Sequence, residues 1–201
     1  MLQDKSNNEQ LLKWWIAARD GDVQSFKALH HHLFEGLYAY AFKLLDDETL
    51  SNEAVQDLFV KLWVRKEFIN TIQQVKPYFY AALRKQILNH FRDLKLKSIK
   101  IQLSQQPDIA FSPEDIIVKK ESDFILQQKI SLLLNQLPKR QKEVIYLRYF
   151  ENLDPQQIAE IMGINYQSVS NLTQKALHKL RAVKMLSMLI SLAFLFQFVK
   201  N

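Results

Sequence analysis

The chain has no cysteine, and of its 201 residues only 3 are glycine and 5 are proline. Average usage would supply roughly 14 glycines and 10 prolines in this length. Without cysteine there are no disulfides, no thiolate zinc sites and no cysteine nucleophile, a composition that fits a reducing compartment. Gly21, Gly36 and Gly163 stand too far apart to build a glycine-rich phosphate cradle. All-β folds need turn residues every few positions, and too few are present. The polar start from Met1 to Glu9 lacks the apolar core of a secretory signal. What remains is a helical protein with short connections, and a hydrophobic content of 48% is enough to fill its cores.

Positive charge is what the chain does have: the formal net charge is +6 and the pI about 9.4. Residues 76–100 hold Lys76, Arg84, Lys85, Arg92, Lys95, Lys97 and Lys100 against Asp93 alone. Residues 163–184 hold Lys175, Lys179, Arg181 and Lys184 with no acid. Two separated basic stretches suggest two contacts with a polyanion, the competing reading being solvated helix faces. A different extreme follows, where Met185–Val199 carries no charge at all. As a helix that stretch would span about 22 Å, short of the ~30 Å hydrocarbon core of a bilayer. A packed extension or an interaction surface is therefore favoured over a membrane anchor.

Residues 97–122 break the periodicity with Pro107 and Pro113 among polar residues and mark a linker, with a short helical piece after Pro113. This divides the chain into domains at 1–96 and 123–184, followed by a tail at 185–201. Four helices are predicted in the first domain. One covers about residues 8–19, and a second follows Asp22 as N-cap. A third takes Ser51 as its cap, and a fourth starts near Pro77 in the first helical position. In the second domain, helices are predicted at about 122–136, after Leu137-Pro138, from Pro155 and from Tyr166. The expected fold class is all-α: two small helical domains joined by a flexible linker, the second with a helix-turn-helix.

That motif can be read from chemistry. Asp154 can cap, Pro155 suits the first helical position, and Gln157 sits where a capping-box side chain reaches back. The short helix stops at Gly163, and Asn165 can cap the next one. At 100° per residue from Ser170, Gln174, Gln167 and Asn171 lie within about 100° on one side. Val169, Leu172, Ala176 and Leu180 lie opposite. An amide-rich face backed by an apolar one suits a helix that reads adenine edges in the major groove, while outlying lysines suit phosphates.

The run Leu137-Pro138-Lys139-Arg140-Gln141-Lys142-Glu143-Val144-Ile145-Tyr146-Leu147-Arg148-Tyr149-Phe150, followed by Ile158–Ile164 and Lys175–Arg181, resembles the C-terminal promoter-reading domain of an RNA polymerase sigma factor. The two-domain length is similar to the extracytoplasmic-function (ECF) group of the sigma-70 family. The resemblance implies that duplex DNA at the −35 element meets Gln167, Ser168, Ser170, Asn171, Gln174, Lys175 and Lys179. Ser170, Asn171 and Leu172 depart from the commonest pattern of Lys, Ser and Arg, which leaves fewer phosphate contacts on this helix.

The first half points the same way. On the third helix, Ala54, Val55, Leu58, Phe59, Leu62 and Trp63 form a broad apolar face. Val60 and Val64 fall on the polar side, where packing gives them no role, and so hint at a protein partner. The stretch resembles the sigma signature that contacts the clamp helices of the polymerase, which implies core RNA polymerase binding by Glu53, Gln56, Asp57, Val60, Lys61 and Val64. The fourth helix mixes aromatic with basic residues, as single-stranded DNA binding requires. Its likeness to the segment that reads and melts the −10 element assigns Tyr78, Tyr80, Arg84, Lys85, Asn89 and Arg92, while Phe79 and Phe91 are expected in the core. Lys85 and Asn89 replace the family's usual Asn and Asp. The loop 68–75 is expected to receive an extruded −10 base.

Other chemistry is set aside. His30, His31 and His32 point about 100° apart on a helix and cannot converge on one ion, so no metal and no cofactor is expected. No nucleophile, base and carboxylate arrangement is identifiable, so no enzymatic activity is expected. The expected protein is a cytoplasmic ECF-type sigma factor whose partners are core RNA polymerase, promoter DNA and an anti-sigma factor. Membrane association is expected, if at all, only through the tail. The alternatives are a free-standing helix-turn-helix transcriptional regulator and a membrane-tethered interaction protein.

Overall fold

The structure is a computed structural model that describes residues 2–69, 72–97, 107–116 and 124–182. Among the described residues, the elements are eight α-helices and two 3₁₀ turns. The chain divides into two compact units, Met1–Pro107 with Ala159–Ile164, and Asp108–Ile158 with Asn165–Asn201.

The first unit contains α1 (Leu2–Arg19), α2 (Val23–Leu45), α3 (Glu48–Val64) and α4 (Val75–Lys97). Gly21 adopts a φ of +101° between α1 and α2. Asp22 then caps α2 by accepting from the N–H groups of Gln24 and Ser25, both at 3.1 Å. The cap of α3 differs from the expectation. Asp47, not Ser51, accepts from the Leu50 N–H at 2.8 Å. Ser51 lies one turn in, buried, with its hydroxyl donating to the Asp47 carbonyl at 2.5 Å. A serine inside the first turn satisfies its hydroxyl on the preceding carbonyl, and the aspartate before it takes the free N–H groups. The start of α4 is also earlier than expected, because Asn8 of α1 serves it. The Asn8 amide accepts from the Val75 N–H at 3.3 Å and donates to the Gln73 carbonyl at 3.0 Å. Pro77 therefore sits in the first turn, where an N–H would have no helical partner anyway.

α2 is the central element and packs against α1, α3 and α4. Leu29, Leu33, Leu37, Tyr40, Ala41 and Leu44 of α2 are buried with Trp15, Phe59, Phe79, Tyr80, Leu83 and Ile87. Edge-to-face and tilted rings tie the helices together, with Trp15 at 5.7 Å from Phe79 and Phe59 at 5.5 Å from Phe79. His30 is packed 4.6 Å from Phe59 and 5.1 Å from Phe34, and burial, with His31 beside it, holds its pKa below the ordinary 6.5.

The second unit contains α5 (Phe124–Asn135), α6 (Lys139–Tyr149), the first half of α7 (Pro155–Met162) and α8 (Tyr166–Ala182), with α6 packed on α8. Val144, Ile145, Leu147, Val169, Ala176 and Leu180 supply its core. The segment read as a linker contributes as well: Ile109, Phe111 and Ile116 are buried, and a 3₁₀ turn covers Pro113–Asp115. The apolar stretch 185–199 lies outside the described residues. No described helix is long and apolar enough to cross a membrane.

Candidate nucleic-acid interface

The turn between α7 and α8 forms as its residue types require. Asp154 accepts from the N–H groups of Gln156 and Gln157 at 2.8 and 2.9 Å, and the Gln157 side chain accepts from the Asp154 N–H at 2.9 Å. The two residues thus satisfy each other's free groups. Gly163 closes α7 at φ +62°, a left-handed conformation that costs glycine little. Asn165 accepts from the Ser168 N–H at 2.7 Å and starts α8.

α8 has the two faces expected of it. Val169 and Ala176 have no exposed surface and Leu180 almost none, whereas Gln167, Asn171, Gln174 and Lys175 are exposed. Gln167 donates to Asn171 at 3.2 Å, so the two amides are held side by side with donor and acceptor capacity left over. Ser168 and Ser170 are partly exposed at the margins. Lys179 is exposed about 40° around the helix from Lys175, outside the amide row, and its ammonium lies 3.4 Å from the Gln136 carbonyl just past α5.

On α4 the predicted set separates. Tyr78, Lys85, Asn89 and Arg92 fall within about 60° of one another around the helix. Tyr78 is partly buried against Trp15, at 6.5 Å between ring centroids, and burial raises its phenol pKa. Lys85 is exposed, Asn89 is partly exposed, and the exposed Arg92 lies 3.8 Å from Asp93. Tyr80 is a correction. It has no exposed surface and stacks on Tyr40 at 5.4 Å, with the Lys76 ammonium 5.4 Å from its ring. A base cannot reach a ring enclosed on that side, so Tyr80 belongs to the core. Arg84 lies on Tyr80's side of the helix, partly exposed and apart from the row.

On α3 the predicted residues come together. Glu53, Gln56, Asp57, Val60, Lys61 and Val64 are all exposed, with Val60 at 61% and Val64 at 70%. Lys61 approaches Asp57 at 3.5 Å and donates to Gln86 at 3.1 Å. Gln86 in turn donates to the Ala54 carbonyl at 2.9 Å, so α4 fixes the middle of this row. Phe59 and Leu62 are buried. Phe68 follows in a 3₁₀ turn and is 85% exposed, a large apolar side chain not singled out by periodicity because it lies outside any long helix. Residues 70 and 71 of the expected base pocket lie outside the described residues.

Residues 127–180, which contain α6, α7 and nearly all of α8, match the family model "Sigma-70, region 4". Over 147 residues the chain is 27% identical to the RNA polymerase sigma factor SigV of Bacillus subtilis, covering 73% of this chain and 83% of SigV. It is 21% identical to the ECF RNA polymerase sigma factor SigW of the same organism over 173 residues, covering 81% and 90%. Its fold is similar to that of the sigma factor RpoE from Bartonella quintana, solved in complex with the anti-sigma factor NepR. That likeness has a TM-score of 0.60 at 20% identity and covers 78% of this chain and 94% of the solved one.

Proposed function

We propose, on the premise that the chain is a sigma factor of the ECF group of the sigma-70 family, that its two units divide promoter recognition between them. Residues 1–96 act as the polymerase-binding and −10 domain. The α3 row of Glu53, Gln56, Asp57, Val60, Lys61 and Val64 docks on core RNA polymerase, which removes the two exposed valines from water. The α4 row holds the unpaired strand: the Tyr78 ring stacks on a base, Asn89 offers an amide, and Lys85 and Arg92 meet phosphates. Residues 123–184 act as the −35 domain, with α8 in the major groove. Gln167, Asn171 and Gln174 face base edges there, while Lys175, Ser168 and Ser170 position the helix on the backbone.

The observation that carries this reading is the amide row of α8, exposed opposite the buried Val169, Ala176 and Leu180 and started by a capped turn. The protein reads and positions, and the polymerase makes and breaks the bonds. Its place of action is the cytoplasm, where promoter and polymerase are found. An anti-sigma factor that covers one of these surfaces belongs to the same reading, and RpoE, of similar fold, was solved with such a partner.

Run-off transcription with core polymerase tests the proposal. A promoter-specific transcript is expected only when this protein is added, and Val60→Glu with Val64→Glu is expected to abolish it while the helical signal stays unchanged. A free-standing regulator would bind promoters without polymerase and yield no such transcript from any template set.

A further inference from the structure

We infer that Gln167 is a positioning residue: it holds the Asn171 amide in one orientation, and Asn171 and Gln174 are the two amides that read bases. The inference deepens the reading of α8 given above and rests on it.

The three amides share one stripe but not one situation. At 100° per residue, Gln167, Asn171, Gln174 and His178 fall within about 60° of one another along three turns of α8, and all four are exposed. The stripe holds no lysine or arginine, the side chains that most often read guanine. Asn165 serves the Ser168 N–H, so the helix start does not need the Gln167 side chain. Gln167 Nε2 donates instead to Asn171 Oδ1 at 3.2 Å, across the one-turn spacing at which such amide pairs form. Gln174 has no such partner among the described residues.

The pairing has a direction. Asn171 Oδ1 accepts from Gln167 with one lone pair and keeps the other, while both Nδ2 hydrogens stay free. In the major groove adenine presents N7 as an acceptor beside N6–H₂ as a donor. A side-chain amide matches that edge in one orientation, with oxygen toward N6 and nitrogen toward N7. Turned over, it sets donor against donor and acceptor against acceptor. An unpaired amide samples both orientations. The bond from Gln167 selects one of them, polarises the amide so that Nδ2 donates better, and strengthens when the groove excludes water. Because Gln167 lies one turn nearer the helix start, Oδ1 is turned toward that end of α8. Gln167 cannot turn its own amide to a base without releasing Asn171.

The test uses the full chain with core polymerase on a promoter library randomised across the −35 element, with preferences read from the templates transcribed. Ratios within one protein cancel any change in overall affinity. Asn171→Ala is expected to lose an adenine preference of roughly tenfold at one base pair. Gln167→Leu should lower that same preference roughly two- to fivefold, with no further effect when combined with Asn171→Ala. The carboxylate of Gln167→Glu can only accept, so it draws Asn171 Nδ2 toward itself, reverses the amide and lowers the preference further than Gln167→Leu does. Gln174→Ala should alter a different base pair, independently of the other two. Every altered side chain is exposed, and an unchanged helical signal and melting temperature check that each variant folds. Loss in Gln167→Leu of a preference at a base pair of its own, or additivity with Asn171→Ala, makes Gln167 a reader and overturns the inference. An unchanged preference in both Gln167 variants overturns it as well. Absence of any promoter-specific transcript from the unaltered chain would instead remove the reading of α8 on which it rests.

Discussion

Tyr78 lies partly exposed beside Trp15, while Tyr80, two residues further along the same helix, is enclosed and stacked on Tyr40. Two residues turn a helix by about 200°, which carries the second ring from the row of Lys85, Asn89 and Arg92 to the side of Phe79, Leu83 and Ile87. The substitutions should therefore separate cleanly. Tyr80→Ala leaves a cavity in the core and should destabilise the protein by about 3 kcal/mol or more, read as a lowered urea midpoint. Tyr78→Ala should cost about 1 kcal/mol or less and retain polymerase binding, while impairing strand opening detected by permanganate reactivity of unpaired thymines. Equal loss of binding and opening in Tyr78→Ala would argue against stacking. Helical angle puts the two rings on different sides of α4, and Tyr40, packed against one of those sides, decides which ring is enclosed.

At the scale of elements, the connection between α7 and α8 is built from local rules alone. Gly163 needs its φ of +62° to end one helix, and a Cβ added there would meet nothing within 4 Å. The cost of Gly163→Ala is then the backbone conformation alone, about 1 kcal/mol, and Gly163→Asn should recover part of it. Denaturant titration measures both, and an unchanged midpoint for the alanine variant would show that the turn relaxes to another conformation. The caps of α3 and α4 show where local rules stop. Ser51 is a good cap by residue type, but Asp47 precedes it and takes that role. The start of α4 depends on Asn8, which is 67 residues away in the chain. No window of adjacent residues contains that information.

At the scale of the molecule, the proposed function makes two units on one chain act together. In that proposal the basic stretches of 76–100 and 163–184 would each meet a polyanion, and the shared chain would turn the second contact into an intramolecular event. Cleavage at a protease site placed within residues 98–106, after both halves are folded, should lower promoter-specific transcription by roughly a hundredfold at dilute equimolar halves. Binding of the first half to polymerase should survive the cut. Full transcription after cleavage would show that each half finds its element without the other.

Composition, periodicity and capping residues determined much of this protein by themselves: the all-α class, the placement of α2, α7 and α8, the exposed row on α3 and the two faces of α8. These follow from interactions within a few residues, namely helical spacing, N–H groups at helix ends and the backbone freedom of glycine. Only the tertiary structure decided which tyrosine of α4 is open, that Lys179 reaches the Gln136 carbonyl, and that Asp108–Ile116 packs within the second unit. In each case the deciding partner is distant in sequence: Tyr40 for Tyr80, Gln136 for Lys179, Asn135 and Lys142 for that segment. Burial is a property of what the rest of the chain brings alongside, and no local pattern encodes it.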